Sequence, residues 1–409
     1  MISMSVASGS GGAASLSRAK KLFTVLFVCY PISAVYAVGP LNLGQVTMLP
    51  FIAAHIVLSF RSPFVARPLH AGLFPMLLCL FVLLLFVQSI VSSIVFATTV
   101  DIFRIAKGVL LIYGVLVVLA AGRFVDRLLA IKVLKAGLLA VCIVLCVQLA
   151  ANALFGVQIM PYLPFLDTVS EEQTSRVLLY ESGDSIIYRP ASLFVEPSHF
   201  ALFCGFGLWF LLFDDSCEKT RRDYALLLFV TLCMLASTSG TALVLAGVCW
   251  FMYFAPQPCR RPLVVMVAML VAVVVIAVSL SGDGQLAVAF SRLNLMEGSG
   301  ATRLFSFLEF YEDSGLGMKL LGCGIGNMST AYSANMPFVS GDGILILESG
   351  FVGMAAFLLL MAYMVFADNR RLAPYGVLIL LVGVFEQYLY GTYFAYSLVF
   401  PLYCLRRKA

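Results

Sequence analysis

The sequence predicts an all-α, polytopic integral membrane protein with about twelve transmembrane helices and two long loops on one side. Three observations predict it: an apolar excess too large for a water-soluble globule, apolar runs of bilayer length, and basic residues crowded on one side. The chain has 409 residues, 62% hydrophobic and 11% charged, with a mean hydropathy of +1.01. Soluble domains are about 45–50% apolar and about 25% charged. The polar surface here is too small to coat a globule. The same composition excludes a nucleic-acid partner for the net charge of +5 and argues against a disulfide-stapled secreted fold.

A membrane helix needs about 20 mostly apolar residues. Candidates run over about 22–39, 41–59, 71–97, 103–121, 133–155, 197–213, 224–237, 240–256, 262–280, 343–366, 374–390 and 392–405. Residues 1–17 are rich in Gly, Ser and Ala, and 1–21 are expected to be a disordered cytoplasmic N-terminus. The first run ends in Val35-Tyr36-Ala37, which mimics a cleavage site; a retained helix is favoured over a cleaved signal. Residues 22–405 form one transmembrane domain and 406–409 a cytoplasmic tail. No internal repeat and no soluble domain is visible.

The loops give an independent check, because cytoplasmic loops hold the Lys/Arg excess. With the N-terminus inside, the inner segments carry Arg18, Lys20 and Lys21; Arg61 and Arg67; Arg123, Arg127, Lys132 and Lys135; Lys219, Arg221 and Arg222; Arg260 and Arg261; Arg370 and Arg371; and Arg406, Arg407 and Lys408. Of 26 basic residues only Arg104, Lys107, Arg176, Arg189, Arg292, Arg303 and Lys319 fall elsewhere. Both termini are therefore expected in the cytoplasm, and the basic balance reports orientation.

Most of the eleven cysteines lie inside apolar runs. Cys142 and Cys146 share a helical face, yet no histidine or carboxylate accompanies them, so they read as small buried hydrophobes. His55, His70 and His199 are too scattered for a metal cage. No metal and no cofactor is expected.

Two outer segments are long, about 156–196 and 281–342. Long connections in a compact protein are usually functional or disordered, and the aromatic content of these predicts that they fold against the membrane surface. Within the second, residues 302–311 place Leu304, Phe305, Phe307, Leu308 and Tyr311 near one face. That pattern fits an interfacial amphipathic helix or a helix packed over the bundle.

The most informative stretch runs from Arg189 to Phe200 and opens an outside-to-inside helix. Pro197 suits the first helical position, where a missing N–H costs nothing. The helix start then points outward with partial positive charge, which favours anions. Arg189 would add a planar fork for phosphate oxygens, with Glu196 and His199 beside it as acid/base candidates. The structural alternative is a capped helix start on which His199 simply packs. Ser237-Thr238-Ser239-Gly240-Thr241 and Asp342-Gly343 mark two further helix starts on the same side. The cluster Gly322-Cys323-Gly324-Ile325-Gly326-Asn327 follows no strand, so it is not a dinucleotide fingerprint; it lets the backbone turn sharply or approach a ligand. Glu348 and Glu386 lie within apolar runs, where ionisable groups are functional candidates by default. Glu386 has Gln387, Tyr388, Tyr390, Tyr393 and Tyr396 around it, which would suit a sugar or form an interfacial aromatic belt.

Taken in order, these features resemble the bacterial O-antigen polymerase and ligase family, which includes exopolysaccharide polymerases. The resemblance covers the topology of nearly the whole chain. Locally it rests on Arg189 to His199, on Ser237 to Thr241, on Arg303 followed by Gly322-Cys323-Gly324, and on Asp342 through Glu348 to Gly350 and Gly353. It implies an inverting, metal-independent glycosyltransferase working on undecaprenyl-pyrophosphate-linked glycans at the periplasmic face of the inner membrane. The implied partners are that lipid-linked oligosaccharide and membrane lipids, with a chain-length regulator and a flippase as further candidates. Ligases of the family typically carry a histidine shortly before the Glu–x–Gly helix. Here Phe338-Val339-Ser340-Gly341-Asp342-Gly343 contains none, which tilts the expectation to polymerase. The resemblance then implies that Arg189 and Arg303 clamp the pyrophosphate, that Glu196 or Asp342 takes the acceptor proton, that Glu348 orients a neighbour, and that Ser239 and Glu386 contact the glycan. The competing readings are an O-antigen ligase, a lipid-linked oligosaccharide flippase and a structural subunit regulating chain length. A transporter would place its site near the midplane, whereas the polar residues here gather at the outer face.

Overall fold

The structure is a computed structural model that describes residues 10–39, 41–61, 73–96, 102–159, 167–168, 179–182, 185–214, 219–254, 299–332, 339–366, 372–387 and 391–405. It is 82% helical. The helices are α1 (Ser10–Val28), α2 (Tyr30–Ser33), α3 (Leu43–Arg61), α4 (Phe74–Phe96), α5 (Ile102–Phe124), α6 (Arg127–Phe155), α7 (Pro197–Phe213), α8 (Arg221–Ala236) and α9 (Gly240–Phe254). There follow α10 (Ser299–Glu312), α11 (Leu316–Leu321), α12 (Met328–Ala331), α13 (Gly341–Phe366), α14 (Ala373–Phe385) and α15 (Thr392–Val399), which continues as a π-helical turn over Phe400–Cys404. The apolar run 262–280 lies outside the described residues.

Among the described residues five helices are long and apolar enough to cross a membrane: those spanning Leu43–Phe60, Phe74–Phe96, Ile105–Phe124, Arg127–Phe155 and Gly341–Phe366. Four more, at Pro197–Phe213, Gly240–Phe254, Ala373–Phe385 and Tyr393–Cys404, are apolar but shorter. The outward faces of the long helices are themselves apolar: Phe60, Ile94, Leu154 and Leu359 are all largely exposed. Soluble monomers rarely leave such surface open in contiguous bands, whereas lipid accepts it.

Helix α7 is the axis of the bundle, buried on every side from Phe200 to Leu212. A helix apolar all round belongs in a core. Its aromatic rings key into α1 and α15: Phe203 stacks on Tyr396, with centroids 5.7 Å apart, and Tyr396 stacks on Phe27 at 5.8 Å. In lipid, burying apolar surface between helices gains little, so van der Waals fit and polar contacts decide the packing. Polar contacts accordingly mark the far end of α7, where Arg127 Nη2 approaches Asp214 Oδ2 at 3.7 Å and Arg127 Nε donates to the Cys404 carbonyl.

Three expectations need revision. Helix α1 begins at Ser10, so helix covers 10–21 of the stretch expected to be disordered; residues 1–9 lie outside the described residues. The first apolar run is not one helix to residue 39. It breaks at Cys29, because Pro31 has no N–H to bond the Phe27 carbonyl. The all-α description also omits two short antiparallel hairpins, Ala37–Val38 (β1) with Leu41–Asn42 (β2), and Leu179–Ser182 (β3) with Ser185–Tyr188 (β4). The first hairpin is tied to the first long loop by a bridge between Tyr36 and Thr168 and a hydrogen bond from Ala37 N to Asp167 O. Helix α10 covers the stretch expected over 302–311, but Leu308 departs from the apolar face expected for it. It lies over the bundle: Phe307, Phe310 and Tyr311 pack against Val339, Ile344 and Leu347, while Leu308 and Glu309 face outward.

Candidate functional site: a carboxylate and hydroxyl cluster where five helix ends meet

Four helix starts and one helix end converge at the end of α7 opposite Asp214. Glu196 is the N-cap residue of α7, extended in its backbone, with Pro197 following. Its carboxylate caps no backbone amide; its Oε2 accepts from the Ser198 hydroxyl at 3.1 Å. His199, half-buried, packs its ring on Tyr393 at 5.8 Å between centroids, and its carbonyl accepts from the Tyr393 hydroxyl at 2.9 Å. Tyr393 belongs to α15.

Glu386 is the hub. It is the C-cap residue of α14 and is buried, with 6% of its surface exposed. Its Oε1 accepts from the Thr241 hydroxyl at 2.7 Å, which ties it to the start of α9. Its carbonyl accepts from Gly341 N at 3.1 Å, which ties it to the start of α13. Gln387 Nε2 adds a bond to the Val339 carbonyl at 2.8 Å. Asp342 follows Gly341 and lies directly over Gly383 of α14: a Cβ at Gly383 would stand 2.1 Å from Asp342 Oδ1. That oxygen is buried and accepts no hydrogen bond among the described residues. Ser239 is buried at the start of α9, two residues before Thr241. Glu196, His199, Ser239, Asp342 and Glu386 are thereby brought to one end of the bundle.

Of three further expected residues, Arg189 and Arg303 lie on other segments and Glu348 lies further along α13. Arg189 is half-buried just after β4. It is followed by a bend at Ser192, whose φ is +55°. Gln148 of α6 holds that bend: its Oε1 accepts from Ser192 N at 2.8 Å, its Nε2 donates to Ser192 O at 3.0 Å, and the Ser192 hydroxyl donates to the Val141 carbonyl at 2.6 Å. Arg303 lies in α10, one turn before Phe307; its side chain lies outside the described residues. Glu348 sits six residues into α13 from Asp342, about 9 Å along the axis. It is buried and pairs with Lys107 of α5 at 2.7 Å.

Below Glu348 the helix breaks. Gly350 adopts φ 60°, ψ −165°, so carbonyls before it lose their helical donors. The glycine cluster supplies replacements: Cys323 N bonds Leu347 O at 3.0 Å, Gly324 N bonds Glu348 O at 2.8 Å, and Gln88 Nε2 donates to Ser349 O. Gln88 also bonds Leu321 O at 2.8 Å, and Ile325 N bonds the Ser89 hydroxyl at 3.1 Å. The cluster thus turns sharply against α13.

Sequence reasoning missed Lys107 as the partner of Glu348. The signal was available, since a carboxylate in an apolar run needs a counter-charge and Lys107 is one of few basic residues on that side. It also left open an aromatic belt around Glu386. Tyr393 and Tyr396 are buried inside the bundle instead, while Tyr388 and Tyr390 lie outside the described residues. Among the described residues no group of three or more His, Cys, Asp or Glu side chains is arranged to hold a metal ion.

The fold and cluster together define a mostly helical chain with membrane-length apolar helices and a polar, carboxylate-bearing end. No protein-family model matches the sequence, and no curated protein matches it.

Proposed function

We propose that this chain is a polysaccharide polymerase of the bacterial inner membrane, with about twelve spans and both termini in the cytoplasm. It joins undecaprenyl-pyrophosphate-linked repeat units at the periplasmic face. The observation that carries the reading is the convergence of Glu196, Asp342 and Glu386 with Ser239, Thr241 and Tyr393 at one end of an apolar bundle, under a helix that bears an arginine. Carboxylates and hydroxyls beside aromatic rings suit a sugar. Arginines, as in the family resemblance, suit its diphosphate leaving group.

In this reading an acceptor hydroxyl attacks the anomeric carbon of the lipid-linked glycan. Its proton passes to a carboxylate, a C–O bond forms, and the bond from that carbon to the diphosphate oxygen breaks. The diphosphate leaves with the electron pair and stays on its lipid. Arg189 and Arg303 neutralise the developing charge. Asp342 is favoured over Glu196 as the base: Ser198 already donates to Glu196, whereas Asp342 Oδ1 accepts no hydrogen bond among the described residues and can take the incoming hydroxyl. His199 and Glu386 act here as supports, through Tyr393 and Thr241.

The deciding experiment deletes the gene and measures the size and lipid attachment of the accumulated glycan. Single repeat units that reach the outside but never lengthen support the polymerase. Full-length chains held on the lipid diphosphate indicate a ligase, and units held on the cytoplasmic face a flippase; either overturns the reading. Arg189→Ala and Arg303→Ala are then expected to stop extension with folded protein retained. Arg→Lys is expected to impair it, since an ammonium lacks the planar fork.

A further inference from the structure

We infer that Thr238 is a ligand-binding residue, whose hydroxyl, with Asp342 Oδ1, forms a buried subsite for a sugar hydroxyl on the acceptor glycan; the sugar assignment rests on the polymerase reading. Among the described residues only Ser192 and Thr238 are non-glycine residues with positive φ, +55° and +54°. For a β-branched residue such as Thr238 that conformation is an outlier. Strain of this kind persists only where the surroundings impose it, and it concentrates at functional sites.

The two residues differ in what the strain achieves. Ser192 is fully employed inside the protein, bonded through its amide, carbonyl and hydroxyl to Gln148 and Val141. Thr238 is equally sequestered, with 2% of its surface exposed, yet its Oγ1 has no hydrogen-bond partner among the described residues. Its neighbours are satisfied: the Ser237 hydroxyl donates to Met234 O at 2.7 Å and the Thr241 hydroxyl to Glu386 Oε1 at 2.7 Å. A buried unpaired hydroxyl calls for an explanation.

Asp342 Oδ1 is the second such atom at this end. Each is close in sequence to a residue that bonds Glu386: Thr238 is three residues ahead of Thr241, which bonds the Glu386 side chain, and Asp342 adjoins Gly341, which bonds the Glu386 carbonyl. A hydroxyl both donates and accepts, so Asp342 can accept from the sugar hydroxyl while Thr238 donates to it.

The test uses Thr238→Val, Thr238→Ser and Thr238→Gly, placed in the chromosome of the producing strain. Chain length is read from the cells and thermal unfolding from purified protein in detergent. The probe is the lipid-linked glycan extracted from the deletion strain, whatever its length. Thr238→Val keeps the shape and removes the hydroxyl; extension and probe binding are expected to fall about ten- to hundredfold. Thr238→Ser is expected to stay within about threefold of the unsubstituted protein, since it retains the hydroxyl. Thr238→Gly is expected to unfold at a higher temperature, because glycine accepts φ near +54°, and still to extend chains as poorly as Thr238→Val. Normal extension and probe binding by the valine and glycine variants would overturn the inference and leave the polymerase intact. Should the deletion strain make full-length polymer, the polymerase reading fails. Probe binding by wild type but not by Thr238→Val then still supports the subsite, and equal binding by both, or binding by neither, overturns it.

Discussion

The Lys107 ammonium of α5 lies 2.7 Å from the Glu348 carboxylate of α13, and the two side chains are 31% and 0% exposed. This pair joins two membrane-length helices through charges that lipid would not tolerate alone. Removing one partner costs the other this ion pair. The usual cost is about 3–5 kcal/mol for a fully buried pair; the exposure of Lys107 lowers the expectation to about 2–3 kcal/mol. Lys107→Met and Glu348→Gln should each unfold at lower temperature in detergent. The double variant Lys107→Met/Glu348→Leu should recover most of the loss. A double variant no better than the worse single one would show that the pair does not couple.

Gly322 and Gly350 let two backbones meet. A Cβ at Gly322, where φ is +71°, would stand 2.3 Å from Glu348 O, and one at Gly350 would stand 2.4 Å from Leu320 O. Neither obstacle is a movable side-chain tip. Gly322→Ala and Gly350→Ala should each cost more than about 3 kcal/mol, through clash and strain together. The check is the yield of monodisperse protein, with Gly247→Ala as control, since a Cβ there meets nothing within 4 Å.

Asp223 opens α8 ahead of the apolar stretch that starts at Tyr224, in a capping box with Thr220 and an ion pair with Lys135. Burial alone would raise its carboxyl. The Lys135 ammonium and the Thr220 amide and hydroxyl outweigh that and hold it down at about 2. A depressed carboxyl stabilises the fold above the ordinary range near about 3.9, and the gain fades as pH falls from there toward 2. Asp223→Asn should therefore cost about 1 kcal/mol at neutral pH, a modest figure because the pair is partly exposed. Thermal unfolding at a series of pH values should show the two proteins converging at the acid end.

Much of this architecture is legible in the sequence, because apolar runs and basic loops mark helix ends directly. The start of α7 at Pro197 and the amphipathic α10 follow from local pattern alone. The clustering of Glu196 with Asp342 was reachable because both stand at helix starts on one side, whereas Glu386 reads as part of an apolar run and joins them because α14 ends at Phe385. Other features depend on contacts between distant segments. Lys107 and Glu348 are far apart in sequence, and no local periodicity pairs them. The break at Gly350 depends on donors from Cys323, Gly324 and Gln88. The strain at Thr238 is invisible in a string of small hydroxyl residues, since composition carries no dihedral angle.

Gly383 supplies the sharpest test of Asp342 as the acceptor base. A Cβ there would sit 2.1 Å from Asp342 Oδ1 and 2.7 Å from its Cγ. The carboxylate is the tip of a short side chain at a helix start, so it can rotate away while α13 and α14 stay packed. Gly383→Ala should therefore displace the base and leave the fold in place. Loss of a positioned base costs about 10²- to 10⁴-fold, so Asp342→Asn should fall in that range for extension of lipid-linked repeat units by purified protein. Gly383→Ala should lose a substantial part of the same activity, and Glu196→Gln should lose less than Asp342→Asn. The diagnostic is the double variant. If Gly383 acts only through Asp342, adding Gly383→Ala to Asp342→Asn costs nothing further. A multiplicative loss would mean that Gly383 serves the packing of α14 on α13 instead, and Asp342 would lose this support as the base.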